Sequence, residues 1–372
     1  MKVLYITPGC FDKGGISRYS RYQIEALREN SELNLKALSL LGPDANSIEE
    51  DFQVDWNASS NNIWSQIKLA IIIIKHALLW QPKVIHIAHI NLSGLAWFAS
   101  LLCRAKVVLN VYGLEVWSGL SWDAKLGLQK AHKIISDCRY TRDFILDNKM
   151  VKNDNISVIW DCVDHQKFFP AEVPADVYNK YNIPTDKKII LCLGRISHSA
   201  RHKGYERLIK VFKSIIEHGV DACLVFAGRG DYLDELKNKV KELGIGQYVV
   251  FTNSVDEQDL PDIYRLSHVF SLVSDRGKGR GEGIPLTPLE AMACGKPVIV
   301  GNHDGSQEAI IDNNGFVIDP FNYDVHAKHL RELLSNETLH QAQVENAKKV
   351  SINHFSFEIF SDKHKQFYEE LS

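Results

Sequence analysis

The chain has 372 residues, 45% of them hydrophobic, and a formal net charge of −3. That length accommodates about two domains of ordinary size, and the near-neutral charge excludes the broad basic field that nucleic acid requires. The seven cysteines (Cys10, Cys103, Cys138, Cys162, Cys192, Cys223 and Cys294) are odd in number, scattered and nowhere at C-x-x-C spacing, which argues against a disulfide framework or a zinc site and fits a reducing cytosol.

The chain opens on "KVLYI" (2–6), with no basic region ahead of a long apolar run, and this reads as a strand rather than a signal peptide. Short Val- and Ile-rich runs follow at 33–40, 83–87, 106–111, 133–136 and 156–160. A second set lies at 188–193, 222–228, 248–252, 268–273, 297–301 and 315–318. Helix-length amphipathic segments separate many of them, the pattern of parallel sheets covered on both faces. The longest apolar stretches, 69–74 and 92–103, fall short of the ~20 residues of a membrane span. The first is embedded in "IWSQIKLAIIIIKHALLW", which carries Lys68, Lys75 and His76. It reads as a helix packed on a sheet or as one that touches a membrane surface.

The two halves start alike. "MKVLYITPGCFDKGGISRYSRYQIEAL" and "KKIILCLGRISHSARHKGYERLIKVF" both run strand, Gly-containing loop, helix. The expected fold class is α/β, with two Rossmann-like doubly wound domains facing across a cleft. Residues 1–165 form the first domain, 166–186 a Pro-containing linker and 187–352 the second domain; 353–372 form an amphipathic helix that could pack back on the first domain. In such sheets ligands bind at the carboxyl ends of strands, so the chemistry belongs in the loops just after them.

Three loops stand out. Gly14 and Gly15 let backbone approach a ligand at a helix start, where amides favour anions, although a plain tight turn reads equally well. Arg195, after Gly194, and Lys203, before Gly204, could neutralise a diphosphate without a metal or could simply be solvated. In "GEGIPLTPLEAMACGKPVIV" (281–300), Glu282 and Glu290 have seven residues between them. Thr287, Pro288 and Glu290 have capping-box spacing, with Thr287 as N-cap, so Glu290 could merely cap a helix. Free amides around 286–289 suit a phosphate. A carboxylate such as Glu282 would repel phosphate and makes sense there facing sugar hydroxyls.

On these residues the sequence resembles the retaining glycosyltransferases of family 4, which have the GT-B fold. The resemblance covers nearly the whole chain. It includes the Gly-Gly loop, the G-R and K-G pair, "VYGLEVW" (111–117), "SDCRYTRDFI" (136–145), "VIWDCVDHQKFFP" (158–170) and "GNHDGSQEAI" (301–310). The two glutamates followed by A-x-A-x-G-x-P-V are its most specific part. The resemblance implies that Glu290 binds the ribose of a nucleotide sugar and Glu282 the donor sugar. Arg195 and Lys203 would hold the diphosphate, and Leu286, Thr287 and Ile284 would lie at the donor. Gly15 and Tyr112 would approach it from the first domain. No protein nucleophile is evident in the motif, so front-face attack with a leaving-group oxygen as base is implied. The chain has no Asp-x-Asp, and no catalytic metal and no cofactor beyond the nucleotide-sugar co-substrate are expected. UDP-sugars and GDP-mannose both fit, with UDP favoured.

Two departures matter. Many members have a histidine where this chain has Tyr112, a poor base near neutral pH that could instead be a half-buried packing residue. The usual Glu-Gly-Phe-Gly turn is here Glu282-Gly283-Ile284-Pro285, and Pro285 removes an amide. The basic loop "DRGKGRGEG" (275–283) could be a lid, recognise an anionic acceptor or lipid phosphate, or be solvated.

The expected function is sugar transfer to a glycan or lipid-linked saccharide in surface polysaccharide synthesis, in the cytoplasm or peripherally on the inner face of the cell membrane. A catalytically silent binding partner and a sugar-nucleotide epimerase are the alternatives; a nicotinamide oxidoreductase lacks its G-x-G-x-x-G. Residues 1–164 hold 18 Lys/Arg against 17 Asp/Glu, so strong electrostatic attachment to a membrane is not expected, although a local patch would escape such a count.

Overall fold

The Val- and Ile-rich runs become two wholly parallel sheets. The structure, a computed structural model, describes residues 1–44, 47–48, 51–60, 62–277 and 279–371. The first sheet contains β1 (Lys2–Gly9), β2 (Asn34–Leu41), β3 (Trp56–Asn57), β4 (Val84–Ile87), β5 (Lys106–Val111), β6 (Lys133–Ser136) and β7 (Ile156–Val158). Its order is β3-β2-β1-β4-β5-β6-β7. The second contains β8 (Lys188–Leu193), β9 (Ala222–Ala227), β10 (Val249–Asn253), β11 (Val269–Leu272), β12 (Val298–Gly301) and β13 (Gly315–Ile318), in the order β10-β9-β8-β11-β12-β13. Every residue of β4, β9, β11 and β12 is buried, because helices cover both faces. The two-residue β3 was not legible as a strand, being too short to show alternation.

This order makes the site. Strand order reverses beside β1 in the first sheet and beside β8 in the second. Chain leaving β8 and chain leaving β11 therefore turn to opposite faces and open a crevice at the strand ends. The loop with Arg195 and Lys203 and the loop with Glu282 meet at this place.

The chain divides into two units, Met1–Cys162 with Phe357–Ser372, and Val163–Ser356. In the first, the final helix Phe357–Glu369 packs on the helix Gly15–Glu29. A buried polar network joins them to the sheet. Gln23 bonds His364 at 2.8 Å and accepts from Tyr5 and Asn110, at 2.7 and 2.6 Å. His86 bonds Asn110 at 2.9 Å and the Tyr368 hydroxyl at 2.6 Å. Buried polar groups cost little only when paired like this. Helix Glu337–Phe355 ends at Ser356, so the segment expected as one helix over 353–372 is broken there.

Residues 166–186, read from sequence as a linker, belong to the second unit. Phe168 is buried, residues Ala175–Lys180 form a helix, and Lys180 bonds Asp256 and Asp259 at 2.7 and 2.5 Å. The prolines interrupt periodicity without freeing the segment from packing.

Candidate active site

Close backbone approach shapes the second unit's loops. Gly228 has φ 147°, and a Cβ there would lie 1.9 Å from the Gly194 carbonyl oxygen; glycine is required. The Tyr205 hydroxyl donates to the Arg195 carbonyl at 2.8 Å, which fixes the loop after β8. The Arg195 side chain is exposed, and its guanidinium has no partner among the described residues. After the short turn His198–Lys203, Gly204 (φ 84°) caps the helix Tyr205–Glu217.

Lys203 and Glu282 are brought together. Lys203 Nζ lies 2.7 Å from Glu282 Oε1, and His202 Nε2 lies 2.7 Å from the same oxygen. Burial opposes the Glu282 charge, but Lys203 and the His202 hydrogen bond outweigh it and hold the pKa down at about 2. The backbone around Glu282 is also held. Its N–H donates to Asp304 Oδ2 at 2.9 Å, and its carbonyl accepts from the Gly305 N–H at 3.0 Å. Asp304 is itself buried, takes a bond from Ser274 at 2.8 Å, and has its pKa raised, first by burial. Sequence reasoning missed His202 and Asp304. Both lay in quoted segments, "ARHKG" and "GNHDG", but neither has a spacing rule that signals it.

The expected capping box is absent. The helix runs Leu286–Ala293 with Pro285 as N-cap and no side-chain cap. Thr287 is inside it, not ahead of it, because extended Pro285 already starts the turn. The Thr287 hydroxyl oxygen is buried and has no partner among the described residues. Glu290 is 2% exposed and its Oε2 accepts from the Tyr264 hydroxyl at 2.6 Å. Ile284 is buried, Leu286 is half-buried, and the uncapped amides of the first helical turn remain.

In the first unit, Gly15 is exposed and begins the helix Gly15–Glu29. Asp12 organises this turn by accepting from the Gly14 N–H at 2.6 Å. Tyr112 does not sit on an open loop. It is buried in the first unit's core, accepts from Asn110 at 3.1 Å, and packs edge-on against Tyr19. Burial raises its pKa well above the ordinary value, so its hydroxyl keeps its proton near neutral pH. The half-buried His89, just beyond β4, stacks on Tyr112 with 6.4 Å between ring centroids. It lies at the first sheet's switch point, and its one signal was its place directly after a strand.

A cavity of about 510 Å³ also lies within the second unit. Arg201, His202, Arg207, Lys210 and Arg280 line it, with Glu206 and Asp275. The basic loop therefore forms part of a wall, and Arg207 bonds Asp275 at 3.1 Å. Lys278 lies outside the described residues. Among the described residues no three His, Cys, Asp or Glu side chains group to hold a metal ion.

Two doubly wound units, each built on a wholly parallel sheet, are the architecture of the GT-B class of glycosyltransferase. Residues 176–350 match the family described as Glycosyl transferases group 1, and residues 13–167 match Glycosyltransferase Family 4. The chain belongs to this glycosyltransferase family. It is 30% identical, over 179 residues, to a GDP-mannose-dependent alpha-(1-6)-phosphatidylinositol monomannoside mannosyltransferase of Mycolicibacterium smegmatis, covering 47% of this chain and 46% of that protein. It is 34% identical over 188 residues to mannosylfructose-phosphate synthase of Agrobacterium fabrum, covering 48% and 40%. The chain thus spans less than half the length of these curated relatives. Among solved structures, Anabaena HepE in complex with UDP matches with a TM-score of 0.80 at 16% identity, covering all of both chains. Sucrose-phosphate synthase of Thermosynechococcus elongatus matches at 0.78 and 19%, covering 100% of this chain and 99% of that one. At these identities the likeness is one of fold.

Proposed function

We propose that the chain transfers a hexose from a nucleoside diphosphate sugar to a glycan or lipid-linked saccharide, with retention at the anomeric carbon and without a metal. The observation that carries this reading is Lys203 bridged to Glu282 beside the uncapped helix start at Leu286 and Thr287. An ammonium has three donors. One on Glu282 leaves two for phosphate oxygens, and the free Arg195 guanidinium can supply a fork.

In the reaction the bond from the anomeric carbon to the diphosphate oxygen breaks and the acceptor hydroxyl oxygen bonds to that carbon. The acceptor proton passes to a leaving-group oxygen on the same face. Charge grows on the diphosphate, where Arg195, Lys203 and the helix amides would stabilise it. Glu282, ionised and fixed, would accept from donor-sugar hydroxyls, and Glu290 from ribose. GDP-mannose is the donor printed in the name of the mannosyltransferase relative and UDP the ligand of HepE; both bases are candidates. Seven free cysteines suit a reducing cytoplasm, and a lipid-linked acceptor would bring the reaction to the inner face of the cell membrane in surface polysaccharide synthesis.

The test is release of nucleoside diphosphate from GDP-mannose and UDP-hexoses in the presence of lipid-linked and free saccharide acceptors. Acceptor-dependent release, with the new linkage keeping the donor's configuration, is expected. Binding of donor without turnover on any acceptor would favour a silent binding partner, and conversion of the sugar nucleotide without acceptor would favour an epimerase.

A further inference from the structure

The first unit carries an apolar surface that its own fold leaves uncovered. Helix Ile63–Lys75 and the turn His76–Trp80 expose Ile63, Trp64, Ile67, Ile71, Leu78 and Leu79, the last 75% exposed. Helix Ser93–Cys103 exposes Phe98, Leu101 and Leu102, and Trp122, which opens the helix Trp122–Lys130, is 80% exposed. Helix Ser93–Cys103 packs against both of the others. The inner sides of all three, through Leu69, Ile73, Ala96, Ala99, Ala124 and Leu128, join one core cluster. Their outer sides therefore face away from the same core. Scattered exposed apolar residues need no explanation, but a gathered set of this size marks an interaction surface.

We propose that this face lies on an anionic lipid bilayer. Its charge selects the occupant. Residues 63–80 contain Lys68 and Lys75 and no Asp or Glu, and residues 93–103 contain no charged side chain. Lys68, Lys75, Lys125 and Lys130 within these helices and Arg104 directly after Cys103 are all exposed, and Asp123 is half-buried. Apolar residues flanked by lysines, with tryptophans at the margin, have the composition of a helix that rests at a headgroup layer. A second copy of the chain would set lysines against lysines, which disfavours a dimer through this face.

The segment Ile63–Trp80 is long and apolar enough to cross a membrane by length and composition, yet its packing says that it lies on one. Ser65, Leu69, Ile73 and Ala77 recur every fourth residue and are buried, the spacing of one helix face. Ile67 and Ile71 fall roughly opposite at about 100° per residue. A span would strip the inner strip from its core; surface contact leaves it in place. The balanced charge of residues 1–164 as a whole conceals this local patch.

The inference goes beyond the transferase reading and does not depend on it, since vesicle binding requires no donor or acceptor. The experiment is cosedimentation of the full chain with vesicles of phosphatidylcholine alone, or of phosphatidylcholine with phosphatidylglycerol. The variants are Ile67→Glu/Ile71→Glu, Lys68→Glu/Lys75→Glu and, as control on the other unit, Ile352→Glu. Circular dichroism and melting temperature establish that each is folded. The wild type and Ile352→Glu are expected to sediment with anionic vesicles and less with neutral ones. The isoleucine variant should lose roughly tenfold or more in partitioning, and the lysine variant should lose the preference for anionic lipid. The proposal is overturned if the wild type stays in the supernatant with both lipids, or if the folded isoleucine variant partitions like the wild type. It is also overturned if light scattering finds a wild-type dimer that the isoleucine variant dissociates, because the face is then an interface between copies.

Discussion

Lys203 Nζ stands 2.7 Å from Oε1 of Glu282, joining the loop after β8 to the loop after β11. In the proposed diphosphate site, this pair would let a carboxylate persist close to the bound phosphates. Its charge is balanced within the protein, and the lysine remains electropositive on its other donors.

Lys203→Met is expected to slow sugar transfer by about 100-fold or more, because a charge that stabilises the leaving group is lost. It should also cost about 2 kcal/mol of stability, less than breaking a wholly buried pair, since His202 still bonds Glu282. The double change Lys203→Met/Glu282→Gln should recover much of the stability and none of the turnover. Stability from denaturant melts and kcat together separate the two roles; recovery of both would leave the pair a purely structural one.

For Glu290 the expected outcome is weaker nucleotide-sugar binding in Glu290→Gln, roughly tenfold, with little change in melting temperature. Glutamine can still accept from Tyr264 through its oxygen. Calorimetric titration with the donor checks this. Unchanged affinity together with a lowered melting temperature would assign Glu290 to its bond with Tyr264 alone.

Thr287→Val removes a buried hydroxyl that lacks a partner among the described residues. Such a change should leave stability unchanged or raise it by up to about 1 kcal/mol. If the hydroxyl serves phosphate, affinity for a nucleoside diphosphate should fall severalfold at the same time. Loss of stability without loss of affinity would contradict that role.

Acid should weaken the first unit before it affects the carboxylates. Burial holds the His86 pKa at about 3, despite the opposing bond that His86 donates to Asn110, and holds His364 at about 4, both below the ordinary 6.5. The unfolded chain therefore binds protons that the folded unit refuses. Stability is complete above about pH 6.5 and is lost as pH falls below it, by up to about 2 kcal/mol per histidine at pH 5. Glu282 adds a later loss, as pH falls from about 4.5 toward 2. Melting between pH 8 and 5 should decline, and His364→Gln should flatten that decline. An unchanged slope in the variant would exclude His364 as its source.

The strands and their alternation with helices were legible because each apolar run is short, β-branched and bounded. The switch points follow from two repeats of that grammar. The candidate site was legible where charge and glycine cluster: Arg195, Lys203, Glu282 and Glu290 all lie in the second unit's loops or the helix that follows. Contacts between distant positions were not legible. Nothing near Tyr112 announces that Asn110 and Tyr19 bury it, and nothing near Glu282 announces His202. The prolines of 166–186 suggested a linker because a break in periodicity looks the same in a loose segment and in a packed irregular one. Thr287 matched a capping pattern that Pro285, two residues earlier, pre-empted.

Metal-free capture of a diphosphate is tested by binding of UDP, GDP and their hexose conjugates to the EDTA-treated protein, measured by calorimetry and by thermal shift. Wild type and Arg195→Ala/Lys203→Ala are compared. The expected result is a metal-free rise in melting temperature with one base, lost or cut at least tenfold in affinity in the folded double variant. Binding only when a divalent metal is restored, or equal binding by the double variant, would contradict the account of how this site holds a diphosphate.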